Sequence, residues 1–176
     1  MLPALLIIIA FIILIALWLM ATQRRLVILD EKTNHAMSQI GVQMSSRFDA
    51  LMALLDLTKG YAPNESETII KTTKSERSSI TAKSTPDEVI KQEKIISEAL
   101  VRISIVSEQY PELKAYQSYL KTMDAVQTYE NLIRTSSMIY NNSVSKLNRE
   151  IRMFPVSIVS RLFGFSKRYY LDDQKS

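Results

Sequence analysis

LPALLIIIAFIILIALWLMA, residues 2–21, has no charged side chain and, as a helix, no polar face. At 1.5 Å of rise per residue, about 20 helical residues cross the roughly 30 Å hydrocarbon core of a bilayer. A helix apolar all round belongs in lipid or inside a large protein. Nothing else in the chain is apolar enough to bury this one, so it reads as a single transmembrane helix. A removable signal peptide starts basic, carries about 7–15 apolar residues and ends at a small-x-small cleavage site. Here Met1-Leu2-Pro3 has no basic side chain, and Trp18-Leu19-Met20-Ala21-Thr22 is a poor cleavage site. The expectation is a retained anchor over residues 1–22.

Three residues mark the membrane interface. Trp18 lies one turn before the exit, where an indole suits the headgroup layer, and Arg24 and Arg25 follow it. No basic residue precedes the span. The positive-inside rule therefore puts the N-terminus outside and the remainder in the cytoplasm, at the cell membrane.

About 150 residues follow, enough for one domain with a real core. The formal net charge is +4, from 22 basic and 18 acidic side chains that are interspersed. No basic block interleaved with aromatics occurs, so nucleic acid is not an expected partner; membrane lipid is. The absence of cysteine excludes disulfides.

The three glycines and five prolines punctuate a helical pattern. From about residue 26 to 59, Met37, Ile40, Met44, Phe48, Leu51, Leu55 and Thr58 recur at three- and four-residue steps. Gly60 is suited to end this helix in a left-handed conformation, and Pro63 bars its continuation. No breaker separates it from the anchor. Residues 64–83 form a weaker second helix, with Asn64 and Glu67 spaced as a capping box. Thr85-Pro86-Asp87-Glu88 starts a third. There Val89, Glu93, Ile96, Leu100, Ile103, Val106 and Tyr110 make the stripe. A fourth runs from 111 to about 153, with a shift of pattern between Met123 and Val126 that reads as a stutter. The fold class is all-α: an N-terminal single transmembrane helix followed by an antiparallel, elongated four-helix bundle. The bundle covers residues 23–155, and a basic and aromatic tail covers 156–176.

Catalytic constellations are missing. His35 is the single histidine and reads as a surface residue. No phosphate-cradling glycine loop and no nucleophile elbow occur. Glu93, Glu108 and Glu130 read as paired or solvated carboxylates. No enzyme activity, cofactor, metal or small-molecule substrate is expected. Arg47 and Asp49 on the first bundle helix, with Asn141 and Asn148 on one face of the last, form either a buried polar network that fixes register or an ordinary polar flank. In the tail, Arg161, Phe163, Phe165, Lys167, Arg168, Tyr169 and Tyr170 suit either a lipid or partner contact or a segment folded back over one end of the bundle.

Several stretches together resemble the LemA family of bacterial membrane-anchored helical proteins. They are Ser38-Gln39-Ile40-Gly41-Val42-Gln43 leading into Arg47-Phe48-Asp49 and Lys59-Gly60-Tyr61-Ala62, then Asn64-Glu65-Ser66-Glu67-Thr68. Glu108-Gln109-Tyr110-Pro111-Glu112-Leu113-Lys114-Ala115 follows. The last group is Glu130-Asn131, Tyr140-Asn141, Val144, Asn148, Ile151, Phe154-Pro155 and Gly164-Phe165. The likeness runs from about residue 32 to about residue 171. Departures are Leu51-Met52-Ala53-Leu54-Leu55 where the family has an Ile-Pro-Asn-Leu-Val type segment, Ser137 in place of an arginine, and Leu147 in place of a second tyrosine. The resemblance implies an extended bundle, an outside N-terminus and no settled molecular activity. Some relatives are linked with membrane organelle biogenesis, and others are encoded near membrane zinc metalloproteases. The functional expectation is a non-catalytic scaffold or interaction protein of the bacterial envelope, with homo-oligomers among its partners. The alternative is a modulator or sensor subunit of a membrane protease or envelope-stress pathway.

Overall fold

Between Pro3 and Gly60 only Gly41 weakens a helix, and in the computed structural model these residues belong to one unbroken helix, α1 (Leu2–Thr58). Its 57 residues make a rod of about 86 Å. The structure describes residues 2–171. After α1 come α2 (Pro63–Ser75), α3 (Pro86–Gln109), α4 (Pro111–Ala115), α5 (Gln117–Arg152) and α6 (Val156–Leu162), with no strand among the described residues. The apolar start of α1 is a candidate membrane span by length and composition, with mean hydropathy 3.2 and none of its window buried in protein.

Past the span, α1 turns one face inward. Leu26, Thr33, Ile40, Arg47 and Leu54 recur every seven residues, and Met37, Met44, Leu51 and Thr58 do the same between them. All are buried. Every member of the stripe expected from Met37 to Thr58 lies in this core. α5 runs antiparallel to α1, tied by Arg25–Glu150 at one end and Arg47–Glu130 farther along. Its own seam is Tyr119, Val126, Ile133, Tyr140 and Leu147, all buried, with Ser137 and Val144 interleaved. α2 descends from the far end of α1, and α3 climbs again beside it. Val89, Ile96, Ile103 and Val106 of α3 are buried there. The half of the rod nearer the span is covered by α6 and the tail instead.

Four local expectations are corrected. The fourth helix is interrupted: Tyr116 is extended (φ −71°, ψ 122°), separating α4 from α5. That residue resets the helical phase, so Tyr119 is buried while Tyr116 and Leu120 are exposed. Past it Tyr119, Val126, Ile133, Tyr140 and Leu147 are buried every seven residues, with Met123 and Glu130 half-buried between the first of them, and the stutter disappears. The second helix stops at Ser75 rather than 83. Beyond it Gln92 takes over the backbone, accepting from the Ser78 amide at 3.0 Å and donating to the Glu76 carbonyl at 3.0 Å. Those bonds replace helical ones in a threonine- and serine-rich stretch that gains little from being helical. Asn64 does not cap α2; Ala62 stands at that position with no side-chain bond. Gly60 is not left-handed, since Gly164 is the one described glycine with positive φ. The Tyr61 and Ala62 amides instead both donate back to the Thr58 carbonyl, closing the turn.

The Thr85 capping box does form. Thr85 N–H donates to the Glu88 carboxylate at 2.7 Å, and the Glu88 amide donates to Thr85 Oγ1. That backbone donor holds the Glu88 carboxyl below its ordinary value.

Candidate functional site

Two polar clusters interrupt the apolar seam. The first centres on Arg47. Its side chain is 3% exposed, yet it occupies a seam position of α1. An ionised guanidinium there requires partners, because it does not deprotonate in proteins. Glu93 from α3 and Glu130 from α5 supply them, one on each terminal nitrogen. The Glu130 contact is 2.8 Å. One side chain thus joins three helices at a single height. Arg47 Nε lacks a partner among the described residues.

Asp49 is not part of that cluster. It lies on an exposed flank, where Arg77 donates to it at 2.9 Å and to Ser45 Oγ at 2.8 Å. The same guanidinium stands over the Phe48 ring, 4.5 Å from its centroid. This pins residue 77, the start of the α2–α3 linker, to α1. Farther along the linker Ile80 crosses Gly41, where a Cβ would meet the Ile80 carbonyl.

The second cluster is built on Asn141 and Asn148. Neither reaches Arg47 or Asp49, so the four residues, read from the sequence as either one buried network or a polar flank, serve three separate arrangements. The asparagines hold the tail by its backbone. Asn148 Nδ2 donates to the Arg168 carbonyl and Asn148 Oδ1 accepts from the Arg168 amide, both at 2.9 Å. Asn141 does the same with Leu171, both at 2.8 Å. Between them Tyr140 Oη donates to the Tyr169 carbonyl at 2.9 Å. The spacing explains the fit. Seven helical residues rise about 10.5 Å, and three residues of extended chain cover about 10 Å. An amide side chain offers one donor and one acceptor side, so each asparagine satisfies the N–H and C=O of one residue as a neighbouring strand would.

Side chains lock the segment in place. The Arg168 guanidinium donates to Asp30 at 2.9 Å and to Asn34 at 3.2 Å, reaching across to α1. Leu171 is 4% exposed and joins the main core. Burial pushes the Tyr140 hydroxyl above the ordinary tyrosine value, with the Arg168 charge pulling the other way. The tail therefore folds back along the bundle through Arg168 and Leu171. Tyr169 and Tyr170 point outward, at 82% and 51% exposure. Arg161, Phe163 and Lys167 are exposed and Phe165 is half-buried.

At the other named positions, Trp18 is exposed on the span and its carbonyl accepts from Thr22 Oγ1 at 2.9 Å. Arg24 is exposed, while Arg25 donates to Glu150 at 2.6 Å. His35 is exposed. Sequence reasoning missed Asp30 and Asn34 as partners of the tail, and Leu171 as a core residue. The seven-residue interval of Asp30 and Met37 was the available signal for the first, since it puts Asp30 on the buried seam. Among the described residues no three histidine or acidic side chains gather to hold a metal. The terminal nitrogens of Arg47 are held by carboxylates, and both asparagines are held by tail backbone.

No curated protein matches the chain. A family model does, the LemA family, over residues 36–176. That interval takes in α1 from residue 36 onward, the Arg47 cluster and the asparagine-held tail. The match spans most of the sequence, and the chain belongs to the LemA family.

Proposed function

We propose that this chain is a membrane-anchored, non-catalytic scaffold that holds a rigid helical bundle at a fixed attitude to the bilayer. One observation carries the reading: α1 passes from the apolar span into the bundle core without a break. A span joined by a flexible linker would leave the bundle free to tumble. Here the bundle's central helix is itself the stalk, so any rotation of the anchor turns the bundle. Confinement to two dimensions raises the effective concentration of the bundle near other membrane proteins and other copies. By the charge rule the N-terminus is outside and the bundle cytoplasmic.

Cross-linking in intact cells, read by mass spectrometry, tests the role. Links between copies, or between the bundle and several membrane proteins, are expected. Links to one protease or kinase alone would instead favour the modulator. The stalk is tested by Gln23→Pro with Arg24→Pro. These should leave membrane targeting intact while randomising bundle orientation, because each interior proline costs a helix about 3 kcal/mol.

A further inference from the structure

Near the foot of the bundle the apolar pattern does not close. Phe154, Ile158 and Leu162 stand four residues apart and are 81%, 61% and 74% exposed. Phe163 beside them is 45% exposed. The opposite side of α6, Val159 and Ser160, is buried. α6 is thus docked by one face and bare on the other, with the bare face the more apolar.

Its height on the rod is fixed by two contacts. Glu150 of α5 pairs with Arg25 of α1. α5 ends at Arg152, two residues or about 3 Å closer to the span, level with residue 23. The uncharged apolar run ends at Ala21. Ser160 Oγ donates to the Ser157 carbonyl at 3.0 Å and stands 3.5 Å from the Ile151 carbonyl, a proximity that places α6 alongside the last turn of α5. The interfacial layer of a bilayer is about 5–7 Å deep on each side. With the span in a bilayer, α6 lies within that layer. Charge agrees with position. From Arg149 to Arg168 the one carboxylate is Glu150, already paired, while Arg152 and Arg161 are exposed next to the apolar row.

From this we infer a second membrane contact: α6 and the Phe154 corner insert their apolar row into the headgroup layer beside the anchor, with Arg152 and Arg161 on anionic lipid phosphate. An interfacial helix of this kind buries aromatic and aliphatic side chains at the acyl boundary and keeps cations among the headgroups. Two points of attachment would fix the tilt of the rod, which a single span leaves to bilayer thickness and neighbours. The inference rests on the anchor reading, and its test separates the two.

Trp18 is the only tryptophan of the chain, so it reports the anchor by itself. The full chain is reconstituted in phosphatidylcholine vesicles containing phosphatidylglycerol, with and without brominated acyl chains. In the unaltered chain, quenching of Trp18 by brominated lipid reports insertion of the span. In a Trp18→Phe background, Phe154→Trp and, separately, Leu162→Trp report α6. Both sites are exposed, so neither substitution disturbs the core. The expected result is a blue-shifted emission at both positions that brominated lipid quenches, weakened when phosphatidylglycerol is omitted or when Arg152→Ser and Arg161→Ser are added. Trp18 quenched with both α6 tryptophans unquenched overturns the inference and leaves the anchor standing. Blue-shifted but unquenched emission also overturns it, assigning the row to a second copy or another protein. An unquenched Trp18 removes the anchor reading and the inference together.

Discussion

Arg47→Met removes the cation from the three-helix junction while keeping an unbranched side chain in the α1–α5 seam. The magnitude follows from the exposures. The arginine side chain is 3% exposed, whereas Glu93 and Glu130 keep 26% and 33%. Charge-assisted bonds contribute about 1.5–3 kcal/mol each, so two set a ceiling near about 6 kcal/mol. Water reaching the half-buried carboxylates returns part of that. The expected loss is about 3 kcal/mol, the lower end of the range for breaking a buried pair. For a domain of this size that lowers Tm by about 6–12 °C. Adding Glu93→Gln and Glu130→Gln to Arg47→Met should recover part of the loss, because the two carboxylates that lost Arg47 are then uncharged, although Glu130 also gives up Arg134 at 3.7 Å. Thermal melts of the full chain in detergent micelles, followed by circular dichroism, read both steps. A triple variant as unstable as the sum of its parts would refute the junction, since uncoupled residues add.

Three further outcomes follow from the same geometry. Asn141→Ala with Asn148→Ala should release the tail, abolishing hydrogen-exchange protection at the Arg168 and Leu171 amides while that of α5 persists; retained protection at both amides would show that the asparagines do not hold it. Gly41→Ala should lower stability by about 1–3 kcal/mol, because the new methyl overlaps the Ile80 carbonyl; a melt raised above the parent, as helix propensity alone predicts, would contradict the close crossing. The folded pKa of Tyr140 lies above its unfolded value, so its contribution is intact below about pH 10 and is lost as pH rises through the raised value. Tyr140→Phe should therefore lose less Tm between pH 9 and pH 11 than the parent does; equal losses would remove Tyr140 as the cause.

Where the pattern was dense, the sequence and the structure agree. The stripe from Met37 to Thr58 and the Thr85 capping box both formed because each depends on residues within a few positions of one another. The failures sit where a distant side chain competes for the backbone. Gln92 draws off residues 76–78, fourteen and more positions away, and ends α2 early. The break at Tyr116 was invisible because Pro111 already supplied a helix start, and nothing local asks for a second one. Leu113 is buried as expected, but the phase beyond it belongs to the restarted α5.

The candidate site divides along the same line. Arg47, Asn141 and Asn148 stood out as polar groups on or beside an apolar face, and their spacing alone marked them as unusual. Their partners were not legible, since Asp30 and Arg168 lie 138 positions apart. The apolar span, the all-helical class and the family were determined by the sequence by itself, because hydrophobic period and run length act over one or a few turns. Tertiary structure alone decided that Arg47, Asp49 and the two asparagines serve three separate arrangements, that the tail is gripped by its backbone, and that the apolar row of α6 lies level with the end of the apolar run. Those outcomes depend on which helix lies beside which and at what height, a register marked by contacts such as Arg25–Glu150 and Arg47–Glu130.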